Sequence, residues 1–146
     1  MQVFPALPRL PPLADNRAAA ALEFAILAPV CLLFMVGMLA YGIYFGAAHS
    51  LQQLAADAAR TSVASLDPAE RQSLVAGFLD RNADDYVLIG RAGLSYEIGP
   101  KPNDPDEYRV TLHYNAAKLP IWNLYPPLPL PSPIITYVSV VRLGGI

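Results

Sequence analysis

Charge is scarce in this chain. Only 15% of its 146 residues are charged and 54% are hydrophobic. An ordinary soluble domain carries roughly a quarter charged residues, so part of the chain is expected to lie out of water. The formal net charge is −2, and the lysines and arginines stand singly. That excludes a general nucleic-acid binder, which needs a basic stripe or patch. Cysteine is nearly absent: Cys31 stands alone, so no internal disulfide is available. Two histidines, His49 and His113, lie far apart in sequence, which leaves no Cys/His cluster for zinc. Gly-rich phosphate loops, GxSxG and HExxH are missing too. No catalytic constellation, metal or cofactor is expected, and the chain reads as a non-enzyme.

The residues that do carry chemistry have plain readings. Cys31 falls inside an apolar run and reads as a small buried hydrophobe, not a reactive thiol. His49 reads as interfacial, and His113 as exposed on the polar face of a strand. Asp84–Asp85 and Asp104–Asp106–Glu107 lack EF-hand spacing and read as solvated loops.

What the chain does have begins with proline. Pro5, Pro8, Pro11 and Pro12 fall within residues 1–17 and discourage a helix there, which predicts an extended leader. From Phe24 to Ala48 there is no charged side chain. As a helix that stretch measures about 37 Å at 1.5 Å per residue, enough to cross the roughly 30 Å core of a bilayer with some tilt. The residues that follow are too few to wrap a helix that is apolar all round. Arg9, Arg17 and the initiator amine precede the span, so the positive-inside bias favours a cytoplasmic N-terminus. Within the span, Gly42 and Gly46 form a GxxxG that suits close helix packing. Pro29 cannot donate to the Ala25 carbonyl and predicts a local loosening.

Beyond the span the pattern turns amphipathic. Ala47, Leu51, Leu54, Ala55, Ala58 and Ser62 share one face, while Gln52, Gln53, Asp57 and Arg60 lie elsewhere. Nothing breaks the helix from Ala48 to Val63, so one helix is expected from about Ala19 to Ser65. Asp67, Pro68 and Glu70 then have the spacing of a helix start, followed by the stripe Leu74, Val75, Phe78 and Leu79. This predicts a short second helix ending near Asn82. Period-two alternation predicts strands at Leu94, Tyr96 and Ile98 and at Val110, Leu112 and Tyr114, with GPKPNDPD as the turn between them. A β-branched strand is expected over 134–143. The proline-rich connection before it is expected to be extended, packing Ile121, Trp122 and Tyr125 over the sheet. The fold class is therefore α+β: a long N-terminal helix, one short helix and an antiparallel sheet of about three strands.

Glu23 is the single charge at the brink of the apolar block. At head-group depth, near a helix N-terminus, a carboxylate is tolerated. It acquires a use if the chain is cut after Ala18. Ala19 would then carry a new ammonium one helical turn from Glu23, in its own chain or a neighbour's. An ordinary secretory signal is instead cut after its apolar region.

At this point RAAAALEFAILAP resembles the start of TadE-like pseudopilins, minor pilin-like proteins of bacterial tight-adherence (Flp) pilus systems. Arg17, Glu23, Phe24 and Pro29 match the family's pattern by position, and Ala18 stands where glycine is usual. AADAAR, the proline-rich YPPLPLP and a terminal strand ending VVRL also look like the rest of that family. The resemblance implies a pilin-like fold and a prepilin peptidase cutting between Ala18 and Ala19. It implies a leader of residues 1–18, a transmembrane helix over 19–48 and a periplasmic domain over 49–146. The implied setting is the bacterial inner membrane, crossed once. The implied partners are other pilin or pseudopilin subunits, the inner-membrane assembly platform and the lipid bilayer. The implied role is structural, in pilus assembly, adhesion, biofilm formation and secretion-related assembly. A different reading from the residues alone is an unprocessed, single-pass anchor carrying a periplasmic binding or envelope-assembly domain.

Overall fold

Alanines and long aliphatic side chains fill the stretch after the leader, and these are strong helix formers. In the computed structural model they form one helix, α1, over Asn16–Thr61, with Pro29 inside it. The structure describes residues 16–65, 67–101, 104–124 and 129–142. The proline-rich start of the leader lies outside the described residues. The helix begins before Ala19, the expected start, because the Ala18–Ala21 run propagates helix without side-chain entropy cost.

α1 runs through two structural units, Met1–Val36 and Gly37–Ile146. In the first, α1 is the only described element, and its large side chains lie open. Leu22, Phe24, Ile26, Leu27, Val30, Phe34 and Met35 are all exposed. Cys31 is exposed as well, not buried as its apolar setting suggested. No second described element of that unit is there to cover it.

In the second unit the helix changes character. Ala40, Ala47, Leu51, Leu54, Ala55, Ala58 and Ala59 are fully buried, while Gln52, Gln53 and Arg60 stay exposed. The amphipathic face read from the sequence is the core face, and it includes Ser62, whose hydroxyl donates to the Ala59 carbonyl at 2.5 Å. α1 ends in a 3-10 turn, Ser62–Ala64. The next helix, α2, covers Pro68–Asn82. Its start is the predicted one: Asp67 Oδ2 accepts from the Glu70 amide at 2.9 Å, and Pro68 fills the first position, where no N–H is needed. Val75 and Leu79 are fully buried, with Phe78 packed beside them.

Three strands complete the unit: β1 Leu94–Lys101, β2 Asp104–Asn115 and β3 Ile134–Arg142. They form an antiparallel sheet in the order β1-β2-β3. Register places Leu94, Tyr96 and Ile98 opposite Tyr114, Leu112 and Val110, and these opposite Ile135, Tyr137 and Ser139. That face joins α1 and α2 in one core. Burying a large aliphatic side chain such as Leu54 or Leu112 contributes about 1.5–3 kcal/mol.

Two stretches depart from the expected pattern. Of GPKPNDPD, expected as a turn, residues 99–101 and 104–106 are strand, and residues 102–103 lie outside the described residues. Gly99 pairs with Arg109, Pro100 with Tyr108 and Lys101 with Asp104. Lys101 Nζ also pairs with Glu107 Oε2 at 2.6 Å, so Asp104 and Glu107 stand on a strand and not in a solvated loop. That ion pair holds the Glu107 carboxyl below its usual range. Proline fits here because β1 is an edge strand, and because β3 reaches β2 only from Glu107 onward. The second departure is the connection after β2, which is partly coiled. It forms 3-10 turns at Ala116–Lys118 and Pro120–Asn123. Trp122 Nε1 donates to the Ala116 carbonyl at 2.6 Å, and Ile121 is buried. Residues 125–128, with Tyr125, lie outside the described residues.

Candidate functional site

The positions singled out by the motif all fall on α1. Arg17, Ala18, Ala19, Glu23 and Phe24 lie within its first turns. Ala18, Ala19 and Glu23 are exposed, and Phe24 is 73% exposed. Glu23 has no partner among the described residues. It stands four residues after Ala19, on the same face of the helix. Ala18 and Ala19 are exposed and lie inside α1, so an ammonium formed at Ala19 would stand one helical turn from Glu23.

The three helix-packing positions part company. Pro29 is exposed. At Gly42 an added Cβ would meet nothing within 4 Å. At Gly46 it would meet Leu88 Cδ1 at 3.2 Å. Half of the GxxxG is therefore occupied by the chain's own loop, and Gly42 remains open. Leu88 reaches that place with φ at 65°, the left-handed region that a leucine rarely adopts.

Several structural residues carried no sequence signal. Arg71 is buried at 7% exposure. Its Nε donates to the Ser62 carbonyl at 2.9 Å and its Nη2 to the Ser65 carbonyl at 2.8 Å. The guanidinium also lies 5.2 Å from the centre of the Tyr108 ring. It thus satisfies carbonyls of the 3-10 turn that follows α1 and of the residue that ends it. Burial raises the Tyr108 hydroxyl, against the nearby Arg71 charge. Tyr86 donates to Asp57 Oδ2 at 2.7 Å, tying the loop after α2 to α1. Burial, reinforced by the Asp57 carboxylate, raises its hydroxyl to about 12. Arg91 ties α2 to β1 through Asp80, at 2.6 Å, and the Leu94 carbonyl, at 3.0 Å.

A cleft of about 390 Å³ opens between α1, α2 and this loop, lined by Ser50, Gln53, Phe78, Asn82, Asp85, Tyr86 and Val87. It contains neither histidine nor cysteine, and the Tyr86 hydroxyl is already engaged by Asp57. His113 is on the outer face of the sheet, its Nδ1 2.9 Å from Thr136 Oγ1. His49 is exposed on α1.

The arrangement defines a class first: a chain with a long N-terminal helix, open and apolar in its first unit, that becomes the spine of a small α+β domain. The apolar stretch fits a single membrane anchor by length and composition. Residues 18–60 match the family model described as TadE-like protein, consistent with a protein associated with the tight-adherence pilus system. No curated protein and no solved structure matches the chain.

Proposed function

We propose that this chain is a minor pilin-like structural subunit of a tight-adherence (Flp) pilus. A prepilin peptidase removes residues 1–18. The apolar part of α1 then holds the mature protein in the inner membrane, with the α+β domain in the periplasm. There it joins other pilin or pseudopilin subunits and the assembly platform. Its part in assembly and adhesion is structural, not catalytic.

The observation that carries this reading is the family match over 18–60, which opens beside the proposed cut and runs along α1. The exposure of Ala18, Ala19 and Glu23 supports it, since a peptidase and a neighbouring ammonium both need access. N-terminal sequencing of the membrane-purified protein tests it. Ala19 as the first residue is expected. Met1 would favour the unprocessed anchor instead. Ala18→Trp should abolish processing by bulk, and a bulky variant that still runs at the processed size would place the cut elsewhere.

A further inference from the structure

Where the helix enters its domain, two loops come down beside it. Tyr41 Oη donates to the Pro129 carbonyl, and Tyr44 Oη donates to the Ser132 carbonyl at 3.2 Å. Leu88 packs over Gly46. Positions 44 and 46 point about 160° apart on a helix, so the two loops flank α1 from nearly opposite sides. None of the three segments that meet here, 40–48, 86–90 and 129–135, contains a charged side chain, and the charges at the ends of the loop, Asp85 and Arg91, stand outside the tip Val87–Leu88. They nonetheless expose apolar surface: Val87 is 73% exposed, Phe45 53% and Ile134 56%, and Pro129 and Pro131 are open too. An ordinary domain surface facing water would place charges among such residues.

We infer that this uncharged rim is a docking surface for the bilayer, and that the loop tip Val87–Leu88 and the segment Pro129–Pro131 rest in the head-group boundary around α1. The inference rests on the reading that α1 spans the membrane. The occupant follows from continuity: the rim adjoins the apolar stretch of the same helix. At 1.5 Å per helical residue, the stretch of sequence from Glu23 to Tyr44 has a helical length of about 31 Å, and a bilayer's hydrocarbon core is about 30 Å thick. With Glu23 at one boundary, the other falls at Tyr41–Tyr44, where tyrosines suit the interface. Leu88 fits the same account. Its left-handed backbone costs about 1–2 kcal/mol, and that backbone holds the Val87–Leu88 tip against the helix.

The test uses the full chain in vesicles of phosphatidylethanolamine and phosphatidylglycerol, with nitroxide groups on lipids at either a shallow or a deep acyl position. Cys31 serves as the reporter within the span when labelled with an environment-sensitive fluorophore. Val87→Cys and Pro131→Cys, each in a Cys31→Ser background, report the rim, and Gln72→Cys on exposed α2 reports water. The expected result is loss of Cys31 fluorescence to the deep nitroxide. The Val87 and Pro131 labels should lose fluorescence mainly to the shallow one, and the Gln72 label to neither. If Cys31 is quenched and the rim labels behave like Gln72, the docking surface is overturned while the span stands. If Cys31 itself escapes quenching, the spanning reading fails and the docking surface fails with it.

Discussion

Two charged residues, Glu23 and Arg71, show what a sequence does and does not disclose. Glu23 was legible because it is alone in an apolar block, and its exposure leaves it available to the ammonium that the proposed cut would create at Ala19. Glu23→Gln keeps shape and removes charge. On the proposed function, cleavage should persist, because a prepilin peptidase would read mainly the small residue at the cut. Co-purification of the mature variant with other pilus subunits should fall at equal expression, since an ammonium near lipid would lose its anionic partner. Equal co-purification would return Glu23 to a tolerated head-group carboxylate. Arg71 was not legible. Its partners are two backbone carbonyls, of Ser62 and Ser65, just beyond the end of α1, and carbonyls have no sequence signature. Arg71→Leu should lower stability by about 1–3 kcal/mol, the cost of leaving buried acceptors unpaired. Urea unfolding of the detergent-solubilised protein measures it, and an unchanged midpoint would show that water replaces the guanidinium.

Elements were most legible where one periodicity ran long. The face of α1 from Ala47 to Ala58 and the alternation in β2 fixed both the helix core and the sheet's inner side. Prolines misled at the flanks of GPKPNDPD, 99–101 and 104–106, because an edge strand tolerates proline and cross-strand pairs extended the ladder into the local turn cues. The same tertiary effect took Gly46 from helix pairing to a seat for Leu88, which no spacing rule contains. On α1 itself, Leu54→Ala should cost about 2–5 kcal/mol by loss of burial and cavity formation, read as a lower denaturation midpoint. The contact between α1 and the loop after α2 is sensitive to pH. The Tyr86 hydroxyl rises from 10.0 to about 12 on folding, chiefly by burial and then by the Asp57 bond. Its neutral form is the one the fold favours, so its contribution is complete below pH about 10. It is lost as pH climbs toward about 12. Tyr86→Phe should therefore flatten the decline of stability across that interval, at a cost of about 1 kcal/mol near neutral pH from the lost hydrogen bond. An unchanged slope would assign the decline to other groups.

At the scale of the whole molecule, the α+β class and the element order were visible in the sequence. The point where the domain takes hold of α1 was not. Burial begins at Ala40 and the loop bonds at Tyr41, ahead of Ala48, where the uncharged stretch ends. Composition cannot locate that point, because alanine and tyrosine suit lipid edge and protein core alike. A chain shortened to start at Ala48 should thus be less stable than one that starts at Gly37, with Tm lower by several degrees, about 4 °C or more per kcal/mol lost in a domain of this size. Equal melting would mean that Ala40, Tyr41, Tyr44 and Ala47 add nothing to the fold.

The absence of any break in α1 between its open stretch and its buried one has a mechanical consequence. A tether joined to its domain by a floppy linker takes up slack before anything is strained. Here no linker separates the two: the residues on both sides belong to one helix. On the proposed anchoring, a pull along α1 reaches Leu51 and Leu54 directly, and both are buried in the core that α1 shares with the sheet.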